Sequence, residues 1–153
     1  MEHAPAPVPA ELREWYRRGG YQIDATLPAL MVRNRDELGQ RVAVIEGSVS
    51  LTWRELIDEA CRFGGFLNAH GIGPGDVVVW QLPNWWEALV AAYGIWAAGA
   101  ISSPVVPIYR EFELANVVAA VRPAAIVTMS DFHGRDHVDM FSSVCATAGG
   151  NPS

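Results

Sequence analysis

Residues 71–107 read GIGPGDVVVWQLPNWWEALVAAYGIWAAGAISSPVVP, and this stretch decides the fold. A polar turn leads into the apolar run Val77–Trp80, which is short enough to be a strand buried on both faces. The residues from Trp85 to about Ala98 are apolar on nearly every side, which predicts an interior helix. Ala100–Val106 then returns as a strand. Strand, helix and strand in this order form the unit from which parallel sheets are wound.

The sequence also predicts where that central helix begins and ends. Asn84 followed by Glu87 is a cap-and-glutamate pattern that opens a helix, and Gly99 supplies a left-handed residue that ends it. We expect Trp80, on the first strand, and Trp96, near the helix end, to be buried in the core.

Upstream, the pair Thr52 and Glu55 forms a capping box that opens an amphipathic helix ending near His70. Two short β-prone runs, residues 41–46 and 48–52, flank a glycine and predict a hairpin just before this helix. Cys61 falls on the apolar side of the helical pattern, which predicts a small core residue.

Downstream, Glu111–Val121 predicts a third helix and Ala124–Met129 another buried strand, followed by a weaker helical pattern. The alternation of helices and short apolar runs predicts an α/β fold: a mainly parallel sheet with helices on both faces. The strands of that sheet are expected near Val42–Ile45, Val77–Trp80, Ala100–Pro104 and Ala125–Met129.

The domain organisation is read from the two ends of the sequence. Residues 1–14 are interpreted as a flexible leader without the basic start and apolar run of a secretory signal, residues 15–144 as an α/β subdomain, and residues 145–153 as a disordered tail. Residues 88–109 carry no charge, but glycines and prolines interrupt them. They predict a buried helix, a turn and a strand rather than a membrane span.

Composition excludes several classes of function. The 153 residues carry a formal net charge of −6, and the 11 basic side chains are scattered along the chain with no run longer than two, which argues against nucleic acid as a partner. All of these basic residues are arginines, so the chain offers no lysine for a Schiff base or a phosphate loop. Two isolated cysteines and the lack of a signal sequence favour the reducing cytoplasm.

Three short patterns could carry chemistry, and each has a simpler interpretation. The glycine-rich residues 71–75 follow a helix and precede a strand, the reverse of a phosphate loop, so they predict a turn. His133 and His137 lie four residues apart near aspartates, but Gly134 interrupts the pattern and a third strong ligand is lacking, which favours an exposed polar loop over a metal site. No serine lies in a G-x-S-x-G elbow, so nothing supports a hydrolase.

With the elements placed, three segments resemble the N-terminal part of the adenylate-forming synthetases and ligases. They are SLTWREL at residues 50–56, HGIGPGDVVVWQLPN at residues 70–84 and WAAGAISSPVVP at residues 96–107. The first resembles the family's first core motif and the third its second. LPNWWE, YREFEL and FHGRDHVDMF look most similar to the acyl-CoA synthetase branch that contains the cyclohexanecarboxylate-CoA ligases.

The resemblance implies an enzyme that uses ATP and Mg²⁺ to form an acyl-adenylate and then transfers the acyl group to coenzyme A. The family's serine-, threonine- and glycine-rich phosphate loop and its lysine have no counterpart in these 153 residues. No catalytic residue, no metal ligand and no cofactor are therefore assigned to this chain alone. The resemblance implies one site residue by its position: Arg135, in the loop after the last predicted strand, would contact the coenzyme A nucleotide. The simpler interpretation is a solvated arginine near Asp131 or Asp136.

The sequence therefore predicts the N-terminal subdomain of an acid-thiol ligase that is inactive by itself. Its expected partners are the remainder of such a ligase or further copies of the chain. The alternative is a non-catalytic binding or scaffold module that associates with a complete ligase. An independent nucleotide-binding domain would need a phosphate loop, which the sequence lacks.

Overall fold

The computed structural model describes residues 7–148, and all structural statements below concern this part of the chain. Its helices are α1 (Ala10–Arg18), α2 (Leu27–Glu37), α3 (Trp53–Ala69), α4 (Trp86–Ala97), α5 (Glu111–Val121) and α6 (His137–Ala148). Its strands are β1 (Val42–Glu46), β2 (Val49–Thr52), β3 (Val77–Gln81), β4 (Ile101–Pro104), β5 (Ala125–Thr128), β6 (Asp131–Phe132) and β7 (Arg135–Asp136).

A three-stranded parallel sheet lies at the centre, in the order β4-β3-β5. Val78 and Val79 on β3 are both fully buried, and because neighbouring side chains of a strand point to opposite faces, they enter different cores. Val78 packs with residues of α3 and α4, whereas Val79 packs with residues of α5 and α6. The predicted α/β fold, a parallel sheet with helices on both faces, is therefore confirmed.

The prediction that Val42–Ile45 joins the parallel sheet is wrong. These residues lie in β1, which pairs antiparallel with β2 in a separate two-stranded sheet, as the predicted hairpin requires. Gly47 makes the turn with φ of 55°, a conformation that glycine adopts without strain. Ile45 remains 74% exposed, so β1 does not have the two buried faces of a central strand.

Helix α3 starts at the predicted capping box. The Thr52 hydroxyl accepts the Glu55 backbone N–H, and the Glu55 carboxylate accepts the Thr52 backbone N–H. The buried side of the helix is formed by Leu56, Ile57, Ala60, Gly64 and Leu67. Cys61 is exposed, so its assignment to the core is wrong: it lies just beyond the edge of this buried stripe.

Helix α4 departs from its sequence prediction at its start and at its surface. Its N-cap is Trp85 rather than Asn84, and no side chain of its own segment caps it. Leu89 is 38% exposed, so one side of the helix reaches solvent. Trp80 and Trp96 are only half-buried, whereas both were expected to be buried in the core.

Helices also lie near both ends of the described region. Helix α1 spans the predicted leader boundary and has no buried residue, while α6 continues past residue 144 and buries Cys145. Residues 1–6 and 149–153, which belong to the predicted leader and tail, lie outside the described residues. No helix between residues 7 and 148 is long and apolar enough to cross a membrane.

Candidate functional site

A groove with a volume of about 580 Å³ lies at the carboxyl ends of β3 and β4. Carboxyl ends of parallel strands are where α/β proteins usually bind ligands, because the loops that follow the strands converge there. The hairpin closes one side of the groove, the start of α4 another, and the segment after β4 a third. Its lining includes Ile45, Trp80, Trp85, Trp86, Leu89 and Val106. We call this feature the strand-end groove.

The strand-end groove is mainly apolar, with Asn84 and Glu46 among its polar lining residues. The indole N–H of Trp80 is already used, since it donates to the Ser102 hydroxyl at 2.8 Å. Glu46 is the one charged residue among the described residues that line the groove. Its carboxylate accepts the Trp86 backbone N–H at 2.5 Å, which satisfies a free amide at the start of α4. The groove therefore suits an apolar group, and it has neither a nucleophile nor a cation to hold a phosphate.

A buried polar junction lies at the end of β3. Gln81 is fully buried, and its side-chain amide donates to the carbonyl oxygens of Val106 at 2.9 Å and Tyr109 at 3.4 Å. Its side-chain oxygen lies 2.8 Å from Nδ1 of His137, which is also fully buried. The Thr128 hydroxyl donates to the backbone carbonyl of Gln81 at 3.4 Å. This Gln81–His137 junction joins β3, the segment after β4, the end of β5 and the start of α6.

The surroundings of His137 favour its neutral form. Burial lowers the pKa of the imidazole below its ordinary value, and the nearby cations Arg110 and Arg135 act in the same direction. Asp136 and Asp131 oppose this effect more weakly. The sequence interpretation of His137 as part of an exposed polar loop is wrong for this residue, whereas His133 is exposed beside Phe132.

The remaining sequence candidates do not converge on the groove. Arg135 is exposed on β7, in the two-stranded ribbon of β6 and β7, and it is not among the groove residues. Residues 71–75 form a turn between α3 and β3, in which the Asp76 carboxylate accepts the Gly73 N–H at 2.9 Å. Within residues 7–148, no group of three His, Cys, Asp or Glu side chains is arranged to hold a metal ion.

Three polar residues organise this edge of the sheet: sequence reasoning missed Glu46 and Gln81, and it assigned His137 to an exposed loop. Gln81 carries a weak signal, since it is a polar residue directly after the buried run VVVW. The partner of Glu46 is 40 positions away, and the partner of His137 is 56 positions away. Contacts over such separations leave no periodic trace in the sequence.

Comparison with known proteins defines the class. The profile of the AMP-binding enzyme family matches residues 32–151. A salicylyl-CoA synthase / salicylate adenylyltransferase from Streptomyces sp is 30% identical over 86% of this chain and 24% of its own length. A salicyl-AMP ligase / salicyl-S-ArCP synthetase from Mycobacterium tuberculosis is 31% identical over 92% of this chain and 26% of its own length. The chain belongs to the AMP-binding enzyme family.

The structural comparison agrees with this assignment. The apo structure of Mycobacterium smegmatis MbtA matches with a TM-score of 0.80 and 30% identity, covering 93% of this chain and 26% of that one. An anthranilate CoA ligase, AuaEII, shares the fold with a TM-score of 0.72 at 18% identity. The chain thus spans about a quarter of the length of these relatives and corresponds to their N-terminal α/β subdomain.

Proposed function

We propose that this chain is the N-terminal subdomain of an acid-thiol ligase, which activates a carboxylic acid with ATP and passes the acyl group to coenzyme A. The main support for this proposal is the match of the whole α/β unit, from the hairpin to α6, to ligases that form acyl-adenylates. Relatives named for aromatic acids and one named for medium-chain fatty acids both support the class, so the acid itself is left open.

The residues present do not fit a complete ATP–Mg²⁺ site. The free amide at the start of α4, a natural position for an anion, is occupied by the Glu46 carboxylate, whose charge repels phosphate. The chain has no lysine to stabilise charge on a phosphate. We therefore derive no catalytic step from these residues and propose that the isolated chain is inactive.

The contribution of this chain is then structural. It supplies a rigid sheet edge, held by the Gln81–His137 junction, and the apolar strand-end groove against which the catalytic part would be positioned. Arg135, exposed on β7, is the one residue proposed to contact coenzyme A directly, at its nucleotide. We also propose the cytoplasm as its location.

The DNA downstream of the Ser153 codon tests the assignment. We expect an open frame, in phase or one frameshift away, that encodes a serine-, threonine- and glycine-rich loop followed by a lysine. The extended protein should then form acyl-CoA from at least one acid in a panel of aromatic and medium-chain acids. Unrelated sequence downstream, together with a stable monomeric chain, would instead support the scaffold-module alternative.

The role of Arg135 is tested in that extended protein. Arg135→Gln should raise the KM for coenzyme A and leave pyrophosphate exchange, which precedes coenzyme A binding, unchanged. Arg122→Gln, which removes another exposed arginine, is the matched control. Equal KM values for the two variants would show that Arg135 is only a solvated surface residue.

A further inference from the structure

The Gln81–His137 junction has one feature that its structural role does not require. Within residues 7–148, Nε2 of His137 is the single buried side-chain nitrogen or oxygen without a hydrogen-bond partner. Buried polar atoms are nearly always paired, so an unpaired nitrogen on an ionisable ring calls for an explanation.

The hydrogen bonds of Gln81 fix the tautomer of His137. The side-chain nitrogen of Gln81 faces two carbonyl oxygens and must donate to both, so its side-chain oxygen can only accept. Nδ1 of His137 must therefore carry the proton that is donated to Gln81. In the neutral ring, Nε2 is then the unprotonated nitrogen, and it can remain unpaired at modest cost.

Protonation of Nε2 would make the unpaired nitrogen much more costly. A proton added to Nε2 creates a buried cationic N–H with no protein acceptor within hydrogen-bonding distance. The charged groups around the ring do not compensate: Arg110, before α5, and Arg135, on β7, oppose the added charge, while Asp131 and Asp136 on β6 and β7 favour it less strongly. The protonated ring is therefore stable only when it leaves its site.

Movement of His137 would release what Gln81 holds. The amide of Gln81 secures the carbonyls of Val106 and Tyr109, and Val106 lines the strand-end groove. His137 is also the first residue of α6, where its own backbone N–H donates to the carbonyl of Ser130.

We propose that the Gln81–His137 junction is an acid-sensitive clasp, which holds residues 105–110 and α6 on the sheet when His137 is neutral and releases them when it is protonated. The direction of this pH dependence follows from the difference in His137 pKa between the open and the closed clasp. The released histidine, with an ordinary pKa near 6.5, binds a proton at higher pH than the buried one does. The clasp is therefore closed above about pH 6.5 and opens progressively as the pH falls below that value.

Hydrogen exchange of the full chain tests the clasp. Exchange is measured between pH 7.5 and pH 5.5 and corrected for the intrinsic pH dependence of amide exchange. Opening at residues 105–110 and in α6 should increase at the lower pH by about tenfold for each unit by which burial lowers the pKa, within the range scanned. The β1–β2 hairpin, to which His137 makes no hydrogen bond among the described residues, should show a smaller change.

Two variants separate the clasp from general acid effects. His137→Gln keeps a side-chain N–H donor and cannot titrate, so its exchange at residues 105–110 should lose the extra opening at low pH. His133→Asn removes an exposed histidine of the same ribbon and should behave like the parent chain. Equal pH dependence in the parent and His137→Gln would overturn the proposal.

A measurement on the unmodified chain keeps the proposal testable if His137→Gln does not fold. Nitrogen-15 chemical shifts of the histidine rings distinguish the two tautomers and follow the titration of each ring. The clasp requires His137 with its proton on Nδ1 at pH 7.5 and no protonation of the folded form at pH 6.5. A proton on Nε2, or titration at or above pH 6.5, would contradict it.

Discussion

Two neighbouring glycines of α3 illustrate how closely the helices are packed. A Cβ on Gly64 would lie 2.8 Å from the carbonyl oxygen of Gly94 and 3.1 Å from the Cβ of Ala97, so the backbones of α3 and α4 must approach each other here. A Cβ on Gly65 would have no atom within 4 Å. The same chemical change therefore has opposite consequences at adjacent positions.

We predict that Gly64→Ala lowers the free energy of unfolding by about 1–3 kcal/mol, as overpacking typically does. Gly65→Ala should raise it by about 0.5–1 kcal/mol, because alanine loses less backbone entropy in a helix. Urea unfolding of both variants measures the difference. A Gly64→Ala midpoint equal to or above that of Gly65→Ala would show that the two helices are not in this close contact.

At the residue scale, periodic burial could be predicted from the sequence, whereas the hydrogen-bond partners of polar side chains could not. Residues such as Leu56, Ile57 and Leu67 follow helical spacing, so their burial was predictable. Trp80 was expected to be fully buried because it ends an apolar run, yet its indole N–H needs an acceptor and its ring lines the strand-end groove. The burial of His137 depends on the distant Gln81, which no local pattern indicates.

The capping box shows how far local chemistry determines an element. We expect Thr52→Ala to reduce stability by about 1 kcal/mol, since it removes the side-chain acceptor for a free amide at the start of α3. Ser50→Ala, on the exposed side of the same hairpin, is the matched control and should be nearly neutral. Thermal unfolding of the two variants measures the difference. Equal losses of stability would show that the Thr52 cap does not stabilise α3.

The same box carries a pH dependence with a defined sign. Hydrogen bonds from the backbone and side chain of Thr52 hold the pKa of Glu55 below its ordinary value of 4.5. Stability from this contact is therefore complete above about pH 4.5 and lost as the pH falls through the lowered folded pKa. We predict that the parent chain loses stability relative to Glu55→Gln below about pH 4.5. Parallel stability curves for the two proteins over that range would contradict the assignment.

At the scale of elements, the order from β1 to α6 could be predicted, apart from the short strands β6 and β7, because the other elements have their own start, stop and period. Helices α1 and α2 were not predicted. Strand β1 was assigned both to a hairpin and to the parallel sheet, because its apolar residues are compatible with either, and it pairs with β2 across the two-residue turn of Gly47 and Ser48. The cap of α4 by Glu46 could not be predicted, since it joins the hairpin to a helix that begins 40 residues later.

Several large apolar side chains are exposed in the chain segment that begins with the outer strand β4. Ile101 on β4 is 53% exposed, Ile108 in the following loop 75% and Phe112 on α5 79%. Both β4 and β5 have one neighbouring strand within residues 7–148, so each leaves a free backbone edge there. Such edges and patches promote association.

We therefore expect the isolated chain to self-associate at micromolar concentration. The double variant Ile108→Ser and Phe112→Ser should shift the population toward monomer, as measured by light scattering coupled to size exclusion. Val32→Ser, which removes an exposed apolar residue on α2, should not do so. A monodisperse parent monomer would count against an incomplete fold and favour the scaffold-module alternative.

We propose that this α/β unit is part of an adenylate-forming ligase and carries none of its catalytic machinery. Exchange of radiolabelled pyrophosphate into ATP, with a mixture of aromatic and medium-chain acids, tests this directly on the isolated chain. We expect no exchange above a heat-inactivated sample, because the chain has no lysine and the backbone amide at the start of α4 is occupied by Glu46. Acid-dependent exchange that co-purifies with the chain from a host lacking its own ligases would contradict it.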